Sequence, residues 1–182
     1  MMQASSQPSV QRGLTLIELL ITLTLVGALL IGATPSLRHM VQYRRLDGVV
    51  QTYLSQLHWA RQQAVAMNQP VHLMFGQTAE SSCYLFYIGE RDRCACGPED
   101  ALCTDGAQAL LAADLPATQG IQVASTSRST ITVDALRGTV TPTFTAVFSA
   151  SNGQSVRAST SVMGRTRTCS PAPGGPAQPA CT

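Results

Sequence analysis

The chain has 182 residues, enough for one domain plus one long element, and its twelve basic and ten acidic side chains leave a net charge of only +2. A balance so near neutral points to no polyanionic or polycationic partner by itself, and four Phe, four Tyr and one Trp allow only a modest aromatic core. The charge is unevenly placed, however: residues 79–120 hold seven acids and two Arg, whereas 121–182 hold one acid, Asp134, and five Arg.

The chain opens on "RGLTLIELLITLTLVGALLIGATP", in which residues 14–33 are apolar apart from Glu18 and scattered Thr. Twenty helical residues rise about 30 Å, the thickness of a bilayer core. A cleaved secretory signal has a shorter apolar region, and Ile31-Gly32-Ala33 is a poor cleavage site of that kind. A plain anchor accounts for the length and leaves Glu18 unexplained, because burying a lone carboxylate in hydrocarbon costs a few kcal/mol or more. A carboxylate that sits near the lipid headgroups and contacts water is the bland account.

A third reading accounts for all of it. Gly13 directly before the run, Glu18 five residues on and Pro35 near its end resemble the class III signal of type IV pilins and type II secretion pseudopilins. The resemblance implies that a prepilin peptidase cuts between Gly13 and Leu14 and that the Leu14 amine is methylated. It also implies that Glu18 compensates the terminal amine of a neighbouring subunit and so sets axial register. The expected organisation is a leader over 1–13, a transmembrane and filament-core helix over 14–35, an amphipathic continuation over 36–69, and an antiparallel β domain over 70–182.

The continuation is legible in the residues themselves. Met40, Tyr43, Leu46, Val50, Tyr53, Leu57, Ala60, Ala64 and Met67 recur every three or four positions, which predicts a helix face packed on a sheet. Arg38, Arg44, Arg45, Arg61 and Gln63 fall off that stripe and are expected in solvent. Pro35 and Gly48 are weak points for the helix, and Asn68 followed by Pro70 ends it.

Beyond Pro70 the period shortens to two. Strands are expected near 71–75, 83–88, 120–124, 130–134, 143–150 and 154–162, with Asn152-Gly153 turning the last pair into a hairpin. Residues 89–115 read as irregular and acidic, and 170–182 as a Pro- and Gly-rich tail. The expected class is α+β, the type IV pilin fold: one long N-terminal helix on antiparallel sheet, with a disulfide-bonded C-terminal region. Within that class "SCYLFYIGERDRCAC", "LRGTVTPT" and "VMGRTRTCSP" resemble the FimT/GspH family of minor pilins and pseudopilins.

Six Cys in an exported domain predict disulfides, and six allow fifteen pairings. A turn at 89–92 returns the chain from Cys83 to Cys94, which leaves Cys96 to bracket a short loop with Cys103, and Cys169 to bracket the tail with Cys181. The expected set is therefore Cys83–Cys94, Cys96–Cys103 and Cys169–Cys181. A zinc site is disfavoured, because C-A-C has one intervening residue and no His lies near it. His39, His58 and His72 are scattered, and no nucleophile elbow, phosphate loop or catalytic carboxylate pair is present. Neither an enzyme nor a cofactor is expected.

One short segment remains, Gly164-Arg165-Thr166-Arg167. In extended chain Arg165 and Arg167 point the same way, about 6.6 Å apart, close to the spacing of phosphates along a nucleic-acid strand. Two solvated Arg that guard an edge strand are the bland alternative. The resemblance favours the first: FimT-type members carry G-R-x-R here and use it to hold incoming double-stranded DNA during natural transformation. Arg137 and Arg157 lie outside the motif. The functions implied are a DNA-binding minor pilin, a structural pseudopilin of a type II secretion tip, or an assembly-priming pilin. The expected location is the inner membrane with the C-terminal domain in the periplasm, and an extracellular pilus after assembly. Other pilins are the expected partners.

Overall fold

The structure, a computed structural model, describes residues 15–78, 80–97, 101–127, 130–171 and 178–181, with the backbone alone for 31–39. The Gly13–Leu14 junction lies outside the described residues. Helix α1 (Leu16–Met67) is helical throughout, Pro35 and Gly48 included. It contributes to two compact units, one ending at His39 and one running Met40–Thr182.

In the first unit several polar groups bond within the helix. The Glu18 amide donates to Thr15 Oγ1 (3.3 Å), and the Thr22 and Thr24 hydroxyls donate back to the Leu19 and Ile21 carbonyls. Leu16 through Leu30 present exposed apolar side chains. Among the described residues no helix is long and apolar enough to cross a membrane.

The second unit is built on the predicted stripe. Tyr43, Leu46, Val50, Tyr53, Leu57, Ala60 and Ala64 are buried; Met40, at its start, is exposed. The helix ends as Asn68 turns left-handed (φ 50°) and the Gln69 amide reaches the Ala64 carbonyl (3.2 Å).

Eleven strands follow among the described residues. The first sheet comprises β1 (Val71–Gln77), β2 (Ser81–Ile88), β5 (Gln108–Pro116), β7 (Ile131–Val133) and β8 (Val140–Thr141), in the order β5-β2-β1-β7-β8. The second comprises β6 (Ile121–Ser125), β9 (Phe144–Ala150), β10 (Ser155–Thr160) and β11 (Thr166–Cys169), in the order β11-β10-β9-β6. Between β2 and β5 stands a hairpin of β3 (Cys94–Cys96) and β4 (Ala101–Cys103). Every strand pairing is antiparallel. The fold is therefore α+β, one N-terminal helix packed on antiparallel sheets.

Both sheets and the helix stripe share one core. Phe144, Ala146, Phe148 and Ala150 of β9 point inward, as do Val156, Ala158 and Thr160 of β10, and Tyr53 packs its ring against Tyr84 (5.2 Å) of the first sheet and Phe148 (5.1 Å) of the second. Strand β2 is buried on both faces because the β3–β4 hairpin covers its outer side, where Leu85, Tyr87 and Cys94 form a second small cluster.

That hairpin corrects two of the expected disulfides. The bonds are Cys83–Cys96, Cys94–Cys103 and Cys169–Cys181. Cys83–Cys94 and Cys96–Cys103 do not form. Residues 94–96 are a strand paired to 101–103, and this register sets Cys94 opposite Cys103, with their Cα atoms 4.0 Å apart. Cys96 is thereby left for Cys83, and its sulfur rests on Gly76, where a Cβ would meet it at 2.8 Å. The region read as irregular thus holds three strands, β3, β4 and β5.

Candidate functional site

The charged segment that followed the last expected strand is itself part of the second sheet. Strand β10 ends at Thr160, the chain turns through Ser161-Val162-Met163-Gly164, and β11 returns antiparallel along it. The turn closes by the Gly164 amide donating to the Ser161 carbonyl (2.8 Å) and the Ser161 amide donating to the Arg165 carbonyl (3.0 Å). Gly164 is buried with φ +70°, so its part is to shape the turn. Arg165 and Arg167 are exposed, and β11 is an edge strand.

Register decides what lies beside them. Arg167 pairs with Ser159, and Ser159 with Thr145, so an arginine and two hydroxyls form a row across three strands. The Ser159 and Thr145 hydroxyls bond to each other (2.9 Å), and the Thr145 amide donates to Thr126 Oγ1 (3.0 Å). These residues line an open groove of about 630 Å³ on the outer face, together with Thr143, Ser161, Arg165 and Arg167. Among the described residues no carboxylate lines it. Among the described residues the ion pairs are those of Arg93 with Glu90 and with Asp105, so neither Arg165 nor Arg167 is neutralised. Arg157, two residues before Ser159 on β10, is exposed and shares that face. Two free guanidinium forks beside a row of hydroxyls can bind an extended anion by charge-assisted hydrogen bonds.

The residue that holds this arrangement is Arg61, which was expected in solvent. It is half-buried instead, and Gln63, also expected in solvent, is partly buried. Arg61 Nε donates to the Gly138 carbonyl (3.0 Å), Nη1 to the Gly164 carbonyl (3.0 Å) and Nη2 to the Met163 carbonyl (3.3 Å). Gly138 closes a turn in "LRGTVTPT" and Gly164 one in "VMGRTRTCSP", so one helix side chain joins two segments more than twenty residues apart. The helical periodicity gave no hint of this, since Arg61 lies off the apolar stripe and its acceptors are backbone atoms.

Comparison with known families agrees with this architecture. The family model for type II transport protein GspH matches residues 49–164, more than half of the chain. The chain belongs to the GspH family. The prokaryotic N-terminal methylation motif matches residues 8–34, which takes in Gly13, Leu14 and Glu18. Together the two matches make this GspH-family chain a pilin or pseudopilin, a structural class, with processing by prepilin peptidase and assembly with other pilins following from the motif. Neither a search of curated proteins nor a search of solved structures finds a match. The GspH match ends at Gly164, so Arg165 and Arg167 fall just beyond it.

The remaining expected sites are placed as follows. Glu18 is in the first turn of α1 and exposed. His72 is buried on β1 and His58 is exposed on α1. Among the described residues no group of three or more His, Cys, Asp or Glu is arranged to hold a metal ion.

Proposed function

We propose that this chain is a minor pilin, cut between Gly13 and Leu14 and methylated at Leu14, that spans the inner membrane once through residues 14–35 and places its C-terminal domain in the periplasm before assembly. Assembled at or near a pilus tip, it holds double-stranded DNA without sequence preference through Arg165 and Arg167. The observation that supports this reading is a pair of arginines beside a groove lined with hydroxyls, with no carboxylate in the groove and no ion pair to either arginine among the described residues. Among the described residues no base-reading helix or ribbon accompanies them, so the contacts are to phosphate. No catalytic step is part of the reading.

The test is binding of a labelled duplex by the oxidised full chain in a zwitterionic detergent. Affinity is expected in the ordinary non-specific range, roughly 10⁻⁴ to 10⁻⁶ M at physiological salt. Arg165→Ala with Arg167→Ala weakens binding and flattens the plot of log K against log salt by about 0.9 per lost contact, hence by about two units. Arg44→Ala with Arg45→Ala removes equal charge from exposed helix positions and leaves the slope unchanged. Equal loss in both pairs reduces the effect to net charge.

A second reading has its own support. The matching family is described by type II transport, which favours a pseudopilin of a secretion tip that never meets nucleic acid. Absence of duplex binding by the wild-type chain at low salt selects it.

A further inference from the structure

Seven large apolar side chains of the second unit are largely exposed among the described residues, and four of them, Val65, Leu136, Val162 and Met163, belong to the helix turn after Arg61 or to the two turns whose carbonyls Arg61 binds. Leu136 is 80% exposed and Met163 75%. Val65 follows Arg61 by one helical turn and approaches the Gly138 backbone, where a Cβ would meet it at 4.0 Å. Leu136 lies two residues before Gly138, and Val162 and Met163 directly precede Gly164. The two turn tips are tied to each other twice, through the three carbonyls that Arg61 binds and through the Val140 amide donating to the Val162 carbonyl (2.7 Å). Exposed apolar side chains on two turns tied together in this way mark a contact surface.

Charge says what it contacts. Each tip carries an exposed arginine next in the chain, Arg137 after Leu136 and, past Gly164, Arg165 after Met163. Asp134, in the same turn, accepts the Leu136 and Arg137 amides on Oδ1 (3.0 and 2.8 Å). Arg61 spends three of its five N–H donors on backbone carbonyls of the two turns, so it braces the tip. The tip is also continuous in sequence with the groove that holds Arg165 and Arg167. Apolar side chains flanked by cations match a ligand whose anionic backbone encloses apolar sugar and base surface.

We infer that the Leu136 and Met163 tips form the second half of a nucleic-acid interface, in which the arginines hold phosphates and the two apolar side chains wedge against sugars and a base step. The inference rests on the DNA reading above and adds to it a preference for duplex that is easily unstacked. Apolar wedges of Leu and Met are the means by which side chains open a base step, and the cost falls where stacking is already interrupted. Bracing by Arg61 reduces the ordering cost of binding.

The test compares an intact labelled duplex with the same duplex carrying a central nick, bound by the oxidised full chain in zwitterionic detergent. The wild-type chain is expected to favour the nicked form by roughly threefold or more. Leu136→Ser with Met163→Ser, two exposed positions whose replacement leaves the core untouched, weakens binding to both duplexes by roughly tenfold and abolishes the preference. It leaves the salt slope unchanged, because no phosphate contact is removed. Wild-type affinity in this variant overturns the inference and leaves the arginine reading standing; its apolar tips then belong to a subunit contact. Weakened binding in this variant, with wild-type slope in Arg165→Ala/Arg167→Ala, supports the tip and removes the arginine reading. No binding by the wild-type chain at low salt overturns both.

Discussion

The Arg61 guanidinium fills the space that a side chain at position 164 would need. A Cβ built on Gly164 falls 2.5 Å from Arg61 Cζ and 2.6 Å from Nε. The positive φ favours glycine at this place in the G-R-x-R segment, and an added Cβ would also have to push the Arg61 guanidinium off the carbonyls it binds.

Gly164→Ala is expected to cost about 2 kcal/mol or more, since a left-handed backbone and a steric overlap are both imposed on a buried turn. Thermal melts of the oxidised chain check this. Arg61→Ala relieves the overlap while leaving three carbonyls without their donor, so the double variant should be less destabilised than the sum of the singles. Strict additivity would show that the two residues do not touch.

Non-reducing peptide mapping should return Cys83–Cys96, Cys94–Cys103 and Cys169–Cys181, with no free thiol. Cys94 and Cys96 are separated only by Ala95, so the first two bonds must be assigned by fragmentation within one linked peptide. Recovery of Cys83–Cys94 would mean that the β3–β4 register is wrong.

His72 is 5% exposed, its ring tilted against Tyr87 (5.2 Å), with Nδ1 bonded to the Thr132 hydroxyl (3.1 Å). Burial lowers its pKa below the ordinary 6.5; Arg91 lowers it further, while a hydrogen bond with the Gly89 backbone and the charge of Asp92 oppose the shift. The unfolded chain consequently takes up its proton first. Stability from this group is intact above about pH 6.5 and is lost as pH falls from there through the folded-state pKa. Urea melts between pH 7.5 and about 5 should show that decline, and His72→Gln should reduce it. A variant with the wild-type pH dependence would assign the decline to other groups.

Glu18 should matter for assembly and not for the β domain. It lies in the first unit, whereas the core is built from residues of the second. Glu18→Val is expected to leave the melting temperature of the domain unchanged and to incorporate poorly into filaments. The mature N-terminus, read by mass analysis of protein from native membranes, should be methylated Leu14. Normal incorporation of the variant, or an intact Met1, would remove the account of the carboxylate.

Much of this protein is decided by local patterning. The three- and four-residue recurrence from Tyr43 to Ala64 determines a helix with one buried face, because helical geometry aligns those positions whatever they pack on. Alternation in 144–150 and the Asn152-Gly153 turn determine the β9–β10 hairpin, since the period and the left-handed turn residue are both local properties (Gly153 has φ +85°). The order of Gly13, the apolar run and Glu18 carries the N-terminal motif in the same way. Tertiary structure decided the rest. Cys96 bonds Cys83 because a short strand no periodicity marks sets Cys94 against Cys103. Strand β5, with a bulge opposite Phe86 and Tyr87, became a strand by pairing with β2. Arg61, a solvated residue by every local measure, became the brace of two turns because backbone carbonyls from distant segments converge on it. Donors and acceptors on the backbone are the same at every residue, so a sequence does not record which of them will meet; only the packed fold brings Gly138 and Gly164 to one guanidinium.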